Sequence, residues 1–171
     1  MKNVSKTTIQ KCIDLLSLEY NFYKELQEVL IQERNALVKI GNEELSNINF
    51  SKESILINII EVKNKRKDIM QNISELLNVD VNQINLTFLA NNFEEFSSTF
   101  IKIRDDFKKI GVKIKSLNET NKHIINSSLQ FIQSSLNIIF QGSNRAVYTN
   151  YGKVSVNNNY IKNNQLYSSK I

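Results

Sequence analysis

Few residues in this chain combine the type and the spacing that reaction chemistry needs. His123 is the sole histidine of 171 residues. It is flanked by Lys122 and Ile124, and the single carboxylate one helical turn away, Glu119, does not by itself make a metal-ligand set. A partly exposed surface imidazole is expected. Cys12 is the only cysteine, so no disulfide can form within the chain, and its position on an apolar helical stripe predicts a buried thiol. The acid pairs Glu43-Glu44, Glu94-Glu95 and Asp105-Asp106 are immediate neighbours, whose side chains diverge on a helix instead of converging on a substrate. There is no GxSxG, no phosphate loop, no HExxH and no glycine-rich turn after a strand. These absences predict a non-enzymatic protein without cofactor or metal.

Binding chemistry is better represented. Lys63, Lys65, Arg66 and Lys67 form one basic patch, and Lys102, Arg104, Lys108, Lys109, Lys113 and Lys115 another. Glu61, Asp68, Asp105 and Asp106 dilute both, and no exposed aromatics alternate with them, which argues against a nucleic-acid surface. The net charge of +5 comes from 22 bases and 17 acids, and all the acids lie at or before Glu119. After Phe140 come Arg145, Lys153, Lys162 and Lys170 without one acid, so the body is nearly neutral and the charge asymmetry marks residues 141–171 as a separate unit. Asn157, Asn158, Asn159, Asn163 and Asn164, with Tyr148, Tyr151, Tyr160 and Tyr167 at irregular spacing, predict a flexible basic tail.

The elements that must carry these residues are helices. The chain has no proline, no tryptophan and 4 glycines, whereas tight turns and hairpins are built on Gly and Pro. Ile9, Leu16, Tyr23, Leu30 and Leu37 recur every seventh residue, predicting a first helix from about Val4 to Ile40 with a stop at Gly41-Asn42. Ser51 offers an N-cap for a second helix, in which Ile55, Ile59, Val62, Arg66, Ile69, Ile73 and Leu76 alternate at four and three up to Leu77. A polar break over residues 78–82 precedes a short linking helix around Ile84 to Ala90. The third long helix runs from Phe93 to Phe140, and Phe96, Phe100, Ile103 and Phe107 are expected to pack against Ile59, Val62, Ile69 and Ile73. The fold class predicted is all-α: an elongated three-helix up-down-up coiled-coil-like bundle over residues 1–140, with the flexible tail beyond. No apolar run approaches the ~20 residues that span a bilayer, so neither stable membrane insertion nor a location outside the cytoplasm is expected.

The third helix contains one irregularity. Asn121, Ser128 and Ser135 stand at seam positions that its first half fills with apolar residues. A buried polar group can fix register in a coiled coil. Alternatively this half is partly open and presents Ile124, Ile125, Leu129, Phe131, Ile132, Leu136, Ile138 and Ile139 to a partner helix.

The segment Leu117-Asn118-Glu119-Thr120-Asn121, continued by Ile124-Ile125, Ser128-Leu129 and Leu136, resembles the signature region of FlgN-like flagellar export chaperones. Residues 26–37, LQEVLIQERNAL, resemble that family's first-helix LxxLLxxExxAL pattern with Glu33 as its acid. Residues 51–66, SKESILINIIEVKNKR, are similar to its stretch of a lysine, a small residue, two leucines and ExxR. Tyr148 followed by Gly152 resembles its post-helix tyrosine motif, with Tyr151-Gly152 as a competing match. The resemblance covers nearly the whole chain in the right order.

What the resemblance implies is a cytoplasmic chaperone that binds hook-filament junction (hook-associated) proteins and delivers them to the flagellar type III export gate. It implies that Asn118, Asn121, Leu129 and Leu136 belong to a region that captures the substrate's amphipathic C-terminal segment, to which the open apolar half of the helix adds Ile125, Phe131 and Ile132, and that Tyr148, with Gly152 in its motif, docks on the gate's cytosolic domain. The residues themselves are also compatible with a coiled-coil structural or assembly protein that has no export role, and they leave self-association open.

Overall fold

The first helix is opened by Ser5. In the computed structural model, which describes residues 4–39 and 42–142, the Ser5 Oγ accepts a hydrogen bond from the Thr8 backbone N–H at 3.1 Å. Its carbonyl accepts from Ile9 as the first bond of the helix, and the side-chain bond caps one of the first turn's orphan donors. Helix α1 then runs Lys6–Lys39 and buries Ile9, Cys12, Ile13, Leu16, Leu26, Val29, Leu30 and Ala36 along one stripe. All regular structure among the described residues is helical, as the composition predicts.

Helix α2, Asn42–Leu77, starts well before the Ser51 cap expected from the sequence. Glu43 and Glu44 lie in its first turn, where carboxylates complement the positive end of the helix dipole. Ser51 caps nothing; its Oγ donates to the Asn47 carbonyl one turn back, within the helix. Burial of Ile48 against Val29 and Ala36 anchors this additional stretch. The helix ends at Leu77 as read, with Asn78 in the left-handed region at φ 55°. The Val79 N–H returns to the Ser74 carbonyl at 3.1 Å, the longer bond of a Schellman closure with asparagine in the usual glycine place.

Three short pieces connect α2 to the last helix. The Asp80 side chain accepts from the Asn82 N–H to open a 3-10 turn over Val81–Gln83, and the Asn85 side chain accepts from the Phe88 N–H to cap helix α3, Leu86–Asn92. A second 3-10 turn, Glu94–Phe96, leads into helix α4, Ser97–Gly142. Phe93 and Phe96 therefore precede the helix that their spacing assigns them to. The break falls at Phe93, whose backbone is non-helical, yet both rings remain half-buried against the core. The apolar rhythm continues across a segment whose backbone does not.

Packing proceeds in clusters. Ile9, Cys12, Ile13 and Leu16 of α1 meet Met70 and Ile73 of α2, Leu89 and Ala90 of α3, and Phe100 of α4. Further along α1, Leu26 and Leu30 meet Ile59 of α2 with Ile114 and Leu117 of α4 packed beside them. Ile59 thus faces Ile114 and Leu117 and not the phenylalanines expected, whereas Ile69 and Ile73 do share a cluster with Phe96, Phe100, Ile103 and Phe107. Phe107 also takes the rings of Tyr20 and Tyr23 at centroid distances of 5.8 Å. The chain divides into two compact units, Met1–Ile125 and Asn126–Ile171. Of the second, only residues 126–142 are described, so the tail expected over residues 141–171 lies almost wholly outside.

Two expectations follow from this core. Phe100 is fully buried, so Phe100→Ala should lower the unfolding free energy by about 3–5 kcal/mol, the usual range for emptying a filled aromatic site; a loss under about 1 kcal/mol in a urea melt would contradict the packing. Burial pushes the Cys12 thiol up to about 11, opposed in part by Arg66, and burial followed by the Glu19 charge raises the Tyr23 phenol. Both groups hold their protons more tightly when folded. The contribution of these two groups to stability should therefore be constant below the free thiol's ordinary range and fall as pH rises through about 9 towards 11, and Cys12 should resist thiol reagents at pH 8 until the protein unfolds.

Candidate protein-docking face

Of the residues singled out in the sequence, the structure turns Asn121 inward and leaves the apolar ones outside. Asn121 is 3% exposed. Its Nδ2 donates to the Leu30 carbonyl at 2.9 Å and to Glu33 Oε2 at 2.8 Å, both on α1, while its Oδ1 finds no hydrogen-bond partner among the described residues. Glu33 in turn is paired through Oε1 with Lys52 Nζ of α2. One asparagine thereby joins a carboxylate shared by three helices, which is the register-fixing use of a buried polar side chain. About four turns earlier on α1, buried Glu19 accepts from Arg66 Nε of α2 at 2.7 Å.

Glu19 and its partner were missed as a site by sequence reasoning. The signal was there: Glu19 falls on the buried stripe of α1 and Arg66 at a seam position of α2, and a charge at a seam needs a partner. Glu33, Lys52, Arg66 and Asn121 are also polar members of the patterns that resemble the chaperone family. Their role in this fold is to tie helices together.

Beyond Asn121 the character of α4 changes. No side chain described from Lys122 to Ile139 is buried. Asn118 is exposed, and Ile125 is 40% exposed at the end of the first unit. In the second unit Leu129 and Ile132 are each about half exposed, Leu136 slightly less so, and Phe131 and Ile138 are 74% and 72% exposed. Large apolar side chains at this density on one helix face are the mark of an interaction surface. His123 is exposed as expected, and among the described residues no three of His, Cys, Asp and Glu are placed to hold a metal ion. No helix of the described residues is long and apolar enough to cross a membrane. Tyr148 and Gly152 lie outside the described residues.

The sequence matches the FlgN protein family over residues 1–155. The chain belongs to that family. FlgN proteins are flagellar export chaperones that bind hook-associated proteins, and the match extends past α4 to include Tyr148 and Gly152. Comparisons with curated proteins and with solved structures give no match. Membership of this FlgN protein favours the chaperone reading over a structural coiled coil.

If Asn121 serves the bundle and not the ligand, Asn121→Ala should lower stability by about 1–3 kcal/mol, the range for losing a buried hydrogen-bonded amide. Capture of a hook-associated protein, measured well below the melting temperature, should then persist. Loss of capture at unchanged stability would return Asn121 to the ligand-binding set.

Proposed function

We propose that this FlgN protein acts in the cytoplasm, where it captures hook-filament junction proteins before export and delivers them to the flagellar type III export gate. The observation that supports this reading is the exposed apolar end of α4. In it, α1, α2 and α4 form an up-down-up three-helix bundle, and the segment from Asn118 to Phe140 receives an amphipathic helix of the client. Ile125, Leu129, Phe131, Ile132 and Leu136 supply the apolar contact, Asn118 lies at its edge, and Asn121 holds α4 to α1 at its base. Covering the client's own apolar segment keeps that segment from assembling prematurely. The work is done by burial of surface, so no cofactor, metal, nucleic acid or membrane insertion takes part, and no catalytic step is involved. Self-association through the same face would compete with capture.

Residues 141–171 are assigned to delivery. They carry four bases and no acid, which gives long-range attraction to an acidic partner, and Tyr148, with Gly152 behind it, offers an aromatic anchor of the kind that dominates small interfaces.

One set of variants tests both halves. Leu129→Asp and Phe131→Asp place a charge where the interface is desolvated, so each should abolish binding of the junction protein while leaving the melting temperature unchanged. Tyr148→Ala should keep the junction protein and lose the gate's cytosolic domain, with Tyr151→Ala as the comparison. Co-purification of the junction protein with both aspartate variants would place the capture site elsewhere, and undiminished gate binding by Tyr148→Ala would overturn the anchor.

A further inference from the structure

Past Glu119 and Lys122 at its near end, the docking face carries no formal charge. Between Lys122 and Arg145 there is no Asp, Glu, Lys or Arg, although charged residues make up 23% of the chain. Around the helix, Asn126, Gln130, Gln133 and Asn137 follow one another at helical spacing on the side away from the apolar residues. The polar rim of the face is therefore made of amides and hydroxyls, which can hydrogen-bond a partner but cannot neutralise an ion.

The apolar side has a definite relief. Ser128, Phe131, Ile132 and Ser135 stand at i, i+3, i+4 and i+7, the four positions that frame a hole for an incoming side chain in knobs-into-holes packing. Phe131 and Ile132 wall it, at 74% and 52% exposure. The two ends are small. Ser135 Oγ donates to the Phe131 carbonyl of its own helix at 2.9 Å, so covering it strands no donor.

We infer that the segment captured here is an amphipathic helix with an uncharged contact face, which seats a large apolar side chain in the hole framed by Ser128, Phe131, Ile132 and Ser135. The inference rests on the chaperone reading and specifies its client. A charged client residue landing on this face would lose its water and gain no counter-charge, so the face selects by exclusion, admitting neutral helices and rejecting charged ones. Binding of this kind carries no ion pair for salt to screen. It should hold or tighten as salt rises, because excluded anions such as sulfate favour apolar burial, whereas docking through the basic tail should weaken.

The test is a titration of the full-length protein with a fluorescently labelled hook-filament junction protein across a roughly tenfold range of NaCl, wide enough to shorten the screening length about threefold. The same titration is run with Ser135→Leu, which fills the hole, and Ser134→Leu, which adds the same bulk outside it. Wild-type affinity should stay within about threefold across the range, Ser134→Leu should match wild type, and Ser135→Leu should bind at least about tenfold more weakly with an unchanged helical melt. Capture that weakens more than about tenfold with salt, or that survives Ser135→Leu intact, overturns the inference while leaving the chaperone reading in place. Failure of the wild-type protein to bind the junction protein at all overturns both, and cosedimentation with neutral phosphatidylcholine vesicles in that case would reassign the face to a lipid surface.

Discussion

Asn121 is the last buried side chain described in α4, and its contact with Leu30 and Glu33 marks where the helix stops serving the core. Up to that point the apolar seam of α4 is consumed by α1 and α2. Past it the seam continues in sequence for five further turns while burial does not. A helix in water has no reason to keep Leu129, Phe131, Ile132, Leu136, Ile138 and Ile139 on its surface unless something else covers them. The proposed capture role rests on that mismatch between pattern and burial.

The polar ties of the bundle serve placement more than stability. Lys52 and Arg66 reach their carboxylates with side chains still 27% exposed, while Glu33 and Glu19 are almost enclosed. Such half-buried ion pairs return little net free energy once desolvation is counted, but each forbids a slipped register, because a slip would leave a buried carboxylate alone. Apolar clusters by themselves would tolerate sliding by a heptad. With Glu19, Glu33 and Asn121 each matched to one partner position, the face at the end of α4 begins at a fixed residue.

Much of the fold was legible because periodicity is a direct record of burial. The end of α2 at Leu77, the short helix after the polar break and the long final helix are all visible in the spacing of Ile, Leu and Phe. Helix starts were harder. Ser51 has the chemistry of a cap but sits inside α2, since the acids at Glu43 and Glu44 and the burial of Ile48 outweigh it. Phe93 and Phe96 keep the seam's rhythm across a 3-10 turn, so spacing alone placed them inside a helix. In the candidate site, the open apolar residues could be recognised by their excess over what two neighbours can cover. Asn121 was less legible: the resemblance puts it with the capture residues, but an asparagine at a seam reads as a tie or as a ligand contact until its partners on α1 are known.

Hydrogen exchange on the full-length protein, alone and bound to a hook-filament junction protein, tests the central claim most directly. Amides of α4 from residue 97 to about 120 should be protected in both states, since their helix face is already packed. Those from 124 to 140 should exchange quickly in the free protein and gain protection only in the complex. Protection gained along α1 and α2 with residues 124–140 unchanged would contradict the account.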